Sequence, residues 1–458
     1  MSSSGQLNGH EEREPISPAI PEEGIYEVEY KNKRTNVVRL LPNGFQERKL
    51  RKLADTSARL FNEVNYERRQ QFFQQHQVDF QGTYKKYYEK YKGILGSANA
   101  QAVLQKNNEA WSSFFSLLKL KKKGKLPPHM NHVSPPRYWK EEKKRKLLLV
   151  IRQDRYEVDE KNHKLILKDF NLEIEFAGML RWYGKQGRLE IYYDDVENTW
   201  YASIPVEVGV EETKTGKKSK YIVRGERKSI QVEAPKGNKV AVIDLGINIL
   251  ASVVVSDGTW LLYKGVRAKE DYFYFQKKIA EIQSLADMAR KLGEYEAQEE
   301  LNREKRRLFK KLTRRLHHLY RTLASHMVET LHKQGASIIF LGYPYNIAQD
   351  NGNKFTTNMW SYRKLANAIE LKAQEYGMKV YEVVEYNTSK YCAYHNVEVS
   401  RKPRGVVTCP LGHKLHSDLN GALNILKKAA GITISTVKKP LSFIVGHNGV
   451  APVKGCNT

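Results

Sequence analysis

The feature that most constrains the fold of this chain is the apolar run that follows the Pro-Lys-Gly at 235–237. The segment KVAVIDLGINILASVVVS predicts two strands joined by a tight glycine turn, and TWLLYKG predicts a third strand. The chain then becomes helical over residues 268–334 and returns to strands in ASIIFLGY and MKVYEVVEY, with a helix between them from about 359 to 376. The C-terminal half is therefore predicted to be an α/β domain.

Three strands followed by helix, strand, helix, strand and helix is the order of elements in a ribonuclease-H-like fold. Other α/β folds have the same periodicity. The order of elements therefore favours the ribonuclease-H-like fold but does not exclude the others.

The N-terminal half has a different pattern of apolar and polar residues. Residues 25–42 alternate and end at a Pro-Asn-Gly turn, which predicts a strand. Residues 45–73 and 99–123 repeat apolar side chains at threes and fours, which predicts helices. Residues 147–225 are short β-branched and aromatic runs between turn residues, typical of an antiparallel sheet or small barrel. We expect the early strand to join that barrel, with the helices as an insertion.

These boundaries divide the chain into six predicted units and place it in a mixed α/β and β multidomain class. The units are a disordered acidic segment at 1–24, a β-barrel at 25–43 and 136–235, a helical insertion at 44–135, the α/β domain at 236–385 and 416–431, a short insert at 386–415, and a flexible C-terminal segment at 432–458.

The charge of the chain limits its partners. It has 77 Lys and Arg residues against 51 Asp and Glu residues, a net charge of +26. Such an excess repels itself unless a polyanion is bound, and nucleic acid is the first candidate; a merely basic surface is the alternative. No apolar run approaches the ~18 residues of a membrane-spanning helix, and no signal peptide opens the chain. Three cysteines fit a reducing, cytoplasmic compartment, and we expect no membrane partner.

Three acids of the C-terminal half follow strands or begin a helix. Asp244 follows a buried apolar run, Glu385 ends the strand at 380–384, and Asp418 stands where a helix at 419–428 can begin. Three carboxylates on successive elements of one domain can hold two Mg²⁺ ions about 3.5–4 Å apart, an arrangement that hydrolyses phosphodiesters. Two of these positions also have a structural alternative, because Asp244 can cap the next turn and Asp418 can cap its helix.

A second cluster of metal-ligating residues lies between the last two acids. Two short knuckles with the spacings C-x2-H and C-x3-H are typical of a tetrahedral Zn²⁺ site: Cys392, His395, Cys409 and His413. His416 is a rival for the fourth ligand. The alternative is a pair of buried thiols with solvent-exposed histidines.

Several of these motifs together resemble one known family. VVRLLPNGFQERKLRKLADTSARLFNEVN, VAVIDLGINILASV and TSKYCAYH…CPLGHKLHSDLNGALNI are similar to the N-terminal signature, the first RuvC motif, and the zinc ribbon with the third RuvC motif of the TnpB (OrfB) proteins of insertion sequences. The likeness covers roughly residues 30–430, and its last motif favours the archaeal branch. These proteins are related to small type V CRISPR effectors.

The resemblance implies a transposon-encoded RNA-guided DNA endonuclease. Its partners would be a guide RNA cut from the element's own transcript and a double-stranded DNA target next to a short adjacent motif. In family terms, the barrel is the wedge domain, the helical insertion the recognition domain, the α/β domain a RuvC nuclease, and the insert at 386–415 a zinc ribbon that binds target nucleic acid. It also implies two catalytic Mg²⁺ ions, one structural Zn²⁺, and a prokaryotic cytoplasm, where the protein would associate with the nucleoid.

The chain departs from the family pattern at three places. The second RuvC motif usually carries a Glu in the strand aligned with IIFLGYP, and Gly342 stands there instead. We expect Glu385 to replace it, with Glu382 as the weaker substitute, because alternation puts these two on opposite faces of the strand. Two histidines replace two of the usual ribbon cysteines, and H-S-D replaces the usual D-R-D.

The resemblance also gives the basic surface a role, because a guide–target heteroduplex is held by backbone contacts in a positive channel. The candidate wall residues are Lys121, Lys122, Lys123, Arg306, Arg307, Lys310 and Arg314. Three amide side chains on the helical insertion are candidates to read the target-adjacent motif, although each can equally be a solvated helix residue: Gln101, Gln105 and Asn108.

Two other functions remain open at this point. A binding protein that is guided by RNA but has lost catalysis would act as a repressor, and Gly342 motivates this alternative. A DNA transposase is the other, but no Tyr or Ser nucleophile context supports it.

Overall fold

The computed structural model describes most of the chain, namely residues 24–29, 32–126, 130, 132–141, 144–208, 222–223, 233–343, 362–385, 388–403 and 405–453. The acidic segment predicted to be disordered lies outside these residues apart from Gly24, and so does Cys456. Within the described part of the chain, no helix is both long and apolar enough to span a bilayer.

Helices and strands occupy most of the described chain. The helices are α1 (Gly44–Phe73), α2 (Phe80–Leu95), α3 (Ser97–Lys122), α4 (Val266–Leu292), α5 (Tyr295–Lys333), α6 (Tyr362–Glu375) and α7 (Ser417–Ala430), with a 3₁₀ turn at Lys168–Phe170. The strands of the N-terminal half are β1 (Ile25–Glu27), β2 (Lys33–Leu40), β3 (Lys140–Glu141), β4 (Lys144–Arg145), β5 (Leu148–Ile151), β6 (Tyr156–Asp159), β7 (Lys164–Leu167), β8 (Leu172–Ala177), β9 (Gly184–Gln186), β10 (Leu189–Asp194), β11 (Thr199–Glu207) and β12 (Ile222–Val223). The later strands are β13 (Lys239–Leu245), β14 (Ile249–Val255), β15 (Trp260–Lys264), β16 (Ala336–Tyr343), β17 (Lys379–Val384), β18 (Val406–Thr408), β19 (Lys414–His416), β20 (Leu441–Gly446) and β21 (Gly449–Pro452).

The helical insertion packs on the sheet of the N-terminal half. Helix α1 begins where predicted because Asn43 and Gln46 form a capping box, each side chain bonding the other's backbone N–H at 3.0 Å. The predicted second helix is α3, and a further helix, α2, lies between them. Its buried Tyr87, Tyr91 and Leu95 join the same apolar core as the sheet.

The predicted barrel is an antiparallel sheet of nine strands. Its order is β12-β9-β11-β2-β8-β7-β6, with β10 pairing with both β11 and β5. The predicted antiparallel sheet is thus present, and because β12, β5 and β6 each pair with a single strand, the pairings among the described strands leave it open and branched.

The C-terminal half has the element order that the sequence predicts. An eight-stranded sheet runs β1-β17-β16-β13-β14-β15-β20-β21, in which β13, β14 and β15 are antiparallel while β16 and β17 run parallel to β13. One face carries the core formed with α4, α5 and α6. The other face packs against α7.

Two terminal segments are placed differently from the prediction. Strand β1 pairs with β17, with Ile25 opposite Val383, so residues 25–27 belong to the C-terminal sheet and only β2 joins the N-terminal one. The segment predicted to be flexible, 432–458, contains the hairpin β20–β21, and β20 runs parallel to β15. Burial of Val445 and the 2.7 Å contact from His447 Nε2 to Asp271 Oδ2 hold this hairpin on α4.

The basic stretch of α5 joins the two halves. Arg307 Nε donates to the Val196 carbonyl (3.1 Å), Lys310 pairs with Asp194, and Arg314 Nη2 donates to Glu197 Oε2 (2.7 Å). These three residues were predicted to line a nucleic-acid channel, but they contact the turn between β10 and β11. Whether they also contact nucleic acid stays a prediction.

Candidate functional site

The three predicted acids meet on the α7 face of the large sheet. Asp244 lies near the end of β13, on the same face as Val242, which packs in the core with α7. Glu385 follows β17 and shares the face of Val383, which is in the same core. Asp418 lies in the first turn of α7. The fold therefore brings together carboxylates that are 174 residues apart at the extremes of the sequence.

Two glycines leave space for these carboxylates. A β-carbon on Gly342 would lie 2.2 Å from Oε1 of Glu385, and one on Gly421 would lie 2.4 Å from Oδ2 of Asp244. Glu385 thus fills the position that a side chain at 342 would need. This is a physical reason for the departure from the family pattern at position 342. The side chain of the glutamate that follows β17 takes the space that the glycine in β16 leaves open.

The carboxyl groups strongly perturb one another. Burial raises the pKa of Asp244, the charge of Asp418 raises it further, and a hydrogen bond with Glu385 and the charge of Arg401 lower it. Burial, followed by the neighbouring Asp244, raises the pKa of Glu385 well above its usual range. Asp244 therefore interacts with both other acids, and it is the central member of the set.

The donor set suits hard cations. Oε1 of Glu385 is a buried oxygen with no hydrogen-bond partner within the described chain, and Asp244 makes no backbone hydrogen bond there that would cap the next turn. Buried carboxylates that repel one another, and of which one oxygen has no partner, are stabilised by a divalent cation. The acids are also spread more widely than a single tight ligand set, because in the described residues only the Cys/His group has three ligand atoms within 4.8 Å of one another.

The structure bears on two alternatives for these acids: whether Glu382 or Glu385 lies with Asp244, and whether Asp418 caps α7. Glu382 lies on the other face of β17, where Arg363 of α6 pairs with it and with Glu370, so it does not reach the acids. The N-cap of α7 is His416, whose Nδ1 accepts from the Asp418 backbone N–H (3.3 Å). Asp418 is therefore not the cap of this helix, and its carboxylate is not used for capping.

The predicted zinc ligands also converge. Nδ1 of His395 lies 3.2 Å from Sγ of Cys409 and 4.0 Å from Sγ of Cys392, and the rings of His395 and His413 stack at 4.5 Å. Ligand atoms of one tetrahedral Zn²⁺ are about 3.5 Å apart. Nδ1 of His413 is buried without a partner among the described atoms, as an unfilled ligand would be. His416, the rival, lies beside Asp418 instead.

Two asparagines that the sequence analysis missed connect the acids to this cluster. Asn420, fully buried on α7, accepts from the Ala393 N–H and donates to the Tyr391 carbonyl, both at 2.9 Å. Asn424, one turn later, donates to the carbonyls of Thr388 and Tyr391. The N-x3-N spacing in DLNGALN was the available signal, because residues four apart share a helix face.

The remaining candidates for nucleic-acid contact have different surroundings. Lys121, Lys122 and Lys123 are exposed at the end of α3, and no ion pair holds them within the described chain. On the same helix, Gln105 is exposed, and Gln101 receives a 3.4 Å contact from Arg152. Asn108 lines a hollow beside Phe80 and Phe115. The role of these three amides in reading the target-adjacent motif stays a prediction. Arg306 is on α5.

Comparison with known proteins identifies the family. A TnpB-like protein, ORF457 of Acidianus two-tailed virus, is 74% identical over 456 residues and matches 99% of both chains. The chain belongs to the TnpB-like proteins. Residues 203–348 of this TnpB-like chain match the OrfB_IS605 model, described as a probable transposase, and residues 362–425 match the TNB domain of Cas12f1-like proteins.

Solved structures give weaker similarities. A Cas12f1–sgRNA–target DNA complex is 14% identical, with a TM-score of 0.46, over 84% of this chain and 82% of that one. The mini-RNA-guided endonuclease CRISPR-Cas_phi3 is 12% identical, with a TM-score of 0.40, over 89% and 93%. TM-scores below 0.5 do not support a family assignment. The assignment of this chain therefore depends on the sequence matches.

Asn420 provides a test of the link between the acids and the Cys/His cluster. Asn420→Ala leaves the buried Ala393 N–H without a partner and removes one of the two amides that donate to the Tyr391 carbonyl, so the free energy of unfolding of the TnpB-like chain should fall by about 1–3 kcal/mol in denaturant titrations. Asn302→Ala on α5, which removes an amide with no hydrogen bond among the described residues, should change it by less than about 0.5 kcal/mol. Equal losses in the two variants would contradict the link.

Proposed function

We propose that this TnpB-like chain is an RNA-guided endonuclease of transposon origin that cuts double-stranded DNA next to a short target-adjacent motif. The observation that carries the proposal is the convergence of Asp244, Glu385 and Asp418 on one sheet face, with Gly342 and Gly421 leaving room for the carboxylates. In this proposal residues 236–385 and 416–431 are the RuvC domain.

The acids are proposed to act by holding Mg²⁺ at the scissile phosphodiester. Two such ions, when bound, would activate water and stabilise the leaving oxygen. Asp244, Glu385 and Asp418 would hold these ions, and Asp244 is the acid that interacts with both of the others. Because the pKa values of Asp244 and Glu385 are raised, chiefly by burial, we expect cations to compete with protons for this pair.

A basic cleft between the two halves is a proposed channel for the guide and target. It is lined by Lys33 of β2, by Arg181 between β8 and β9, and by Arg321 of α5 and Lys364 of α6. None of these four has an ion pair within the described chain, so their charge is available to phosphates. They are proposed as wall residues in addition to the predicted ones, which include Arg307, Lys310, Arg314 and the lysines that end α3.

The alternative functions have less support. The RNA-guided repressor was motivated by Gly342, and the Glu385 carboxyl that lies over this glycine accounts for it. A transposase agrees with the description of the matching family model, but it needs DNA joining, for which no nucleophile is evident.

The nuclease proposal predicts that Asp244→Ala abolishes cleavage. With cognate RNA and Mg²⁺, plasmid cutting should fall by at least about a hundredfold, because the central ligand is lost. Binding of target DNA should remain, since the channel is elsewhere. Asp257→Ala, the same change at a turn of the same sheet, should cut normally.

If Asp244→Ala cuts as fast as the parent, the assignment of the site is wrong. If the parent complex binds target and never cuts, the repressor is correct. DNA joining without RNA would instead support the transposase.

The Cys/His cluster is proposed to be a structural zinc site. Metal analysis of the purified chain should find about one Zn²⁺ per chain, bound by Cys392, His395, Cys409 and His413. Cys409→Ser should lose it, while Cys456→Ser, which changes a cysteine outside the described residues, should keep it. A parent protein without zinc would end this proposal.

A further inference from the structure

The acidic N-terminal segment joins the fold at the edge of the large sheet. The carbonyl of Gly24 accepts from the backbone N–H of Val384 at 2.8 Å, and Val384 is the last residue of β17. Strand β1 then pairs with β17 in the antiparallel direction, with Ile25 opposite Val383. These pairings fix the point from which residues 1–23 leave the described part of the chain.

The basic cleft lies within reach of this point. Gln374 Nε2 of α6 donates to the Glu29 carbonyl at 3.2 Å, and the next residue of α6, Glu375, lines the cleft. Residues 24–29 span at most about 18 Å when fully extended. Residues 1–23 can span up to about 80 Å, so their length allows them to enter the cleft.

The cleft has cations that the described chain does not neutralise. Four of them line it without an ion pair among the described residues: Lys33, Arg181, Arg321 and Lys364. His317 also lines the cleft, where burial lowers its pKa and the charges of Lys364 and Arg321 lower it further. The cations therefore produce a positive potential inside the cleft, and a bound anion would relieve it.

The cleft also has an apolar part. Val37 and Met179 line it with 54% and 75% of their surface exposed, and Leu371 lines it from α6. Phosphate groups offer no apolar surface to cover these side chains, whereas a peptide with apolar residues does. The combination of cations and exposed apolar side chains therefore fits an acidic peptide that also has apolar residues.

The N-terminal segment has this composition. Residues 11–23, EEREPISPAIPEE, hold five glutamates and one arginine, a net charge of −4. Ile16 and Ile20 stand between the two groups of acids. The segment thus matches the cleft in both charge and apolar content.

We propose that residues 11–23 bind in the basic cleft of the free protein and that nucleic acid displaces them. This inference rests on the proposed function, in which the cleft holds the guide and the target. Because the segment belongs to the same chain, its effective concentration at the cleft is about 1 mM. A contact with a Kd of about 0.1 mM would then fill the cleft for about 90% of the time, and a competing nucleic acid would bind about tenfold more weakly.

The proposal gives the acidic segment a role in selectivity. The phosphates of a long guide RNA supply many more contacts than the segment does, so this RNA displaces it. A short RNA of unrelated sequence has fewer contacts and competes less well. The segment would therefore reduce non-specific binding by a chain whose net charge is +26.

The affinity for a short single-stranded RNA of random sequence tests the competition. The variant Glu12→Gln/Glu14→Gln/Glu22→Gln/Glu23→Gln should bind this RNA about tenfold more tightly than the parent in about 0.1 M salt, because its segment no longer holds the cleft. The gain should shrink at higher salt, since salt already weakens the contact in the parent. Fluorescence anisotropy measures both effects.

A matched control changes the net charge equally at another place. Four exposed glutamates lie where α4 is followed by α5: Glu294, Glu296, Glu299 and Glu300. The last of them is about 25 Å along α5 from His317, which is more than the screening length of about 10 Å in 0.1 M salt. Replacing all four by Gln should change the RNA affinity by less than about twofold.

A variant of the cleft shows whether the segment acts there. Arg321→Ala/Lys364→Ala should itself weaken RNA binding. In this background the four changes in the segment should increase the affinity by less than about twofold, because the segment then has few cations to cover.

Carbodiimide coupling, which joins a carboxylate to a nearby amine, locates the segment in the parent protein. Mass spectrometry of the digested product should find peptides from 11–23 joined to Lys33 or Lys364. Cognate RNA, added before the reagent, should remove these links.

Three outcomes would overturn this inference: a parent-like RNA affinity of the segment variant, an equal gain in the control or in the cleft variant, and coupling only to lysines outside the cleft. Target cleavage by the parent complex, assayed in parallel, separates the two claims. Coupling to the cleft without any cleavage would contradict the proposed function alone, and cleavage without such coupling would contradict this inference alone.

Discussion

The repulsion between buried carboxylates is the constraint on which the C-terminal half depends. Asp244 and Glu385 lie deep enough, and close enough together, that both resist ionisation. A fold gains nothing from such a pair by itself, and buried acids without donors cost free energy. Two glycines are nevertheless placed so that both carboxylates fit. The arrangement is explained physically only if cations and a phosphate bind to these acids. This argument is the basis of the proposed function.

The position of α7 determines whether this site exists. The helix brings Asp418 beside Asp244, keeps Gly421 against the Asp244 carboxylate, and binds the segment at 388–393 through Asn420 and Asn424. The same segment contains Cys392, so the Cys/His cluster and the acids share one support. A change in either is therefore expected to affect the other.

The sequence predicted more of the site than of its surroundings. Strand alternation separated Glu382 from Glu385 correctly, because a period of two fixes the face whatever the partner strand is. Ligand spacing brought His395 and His413 together for a similar local reason. The pairing of β1 with β17 and the hairpin β20–β21 were not predictable, because short edge strands carry little pattern and find their partners through tertiary contacts. The ion pairs of α5 were not predictable for the same reason: a basic helix face shows that an anion is needed, but not that Asp194 and Glu197 lie against it.

The central claim is that the Glu385 carboxyl, standing over Gly342, supplies the third acid of a nuclease site. The most direct measurement is target cleavage by Glu385→Ala and by the double variant Gly342→Glu/Glu385→Ala, each with cognate RNA and Mg²⁺. The account predicts that the single variant binds target but does not cut it, and that the double variant regains part of the cleavage, because its carboxylate starts from the space that Glu385 has left. Cleavage by Glu385→Ala at the parent rate would contradict the account.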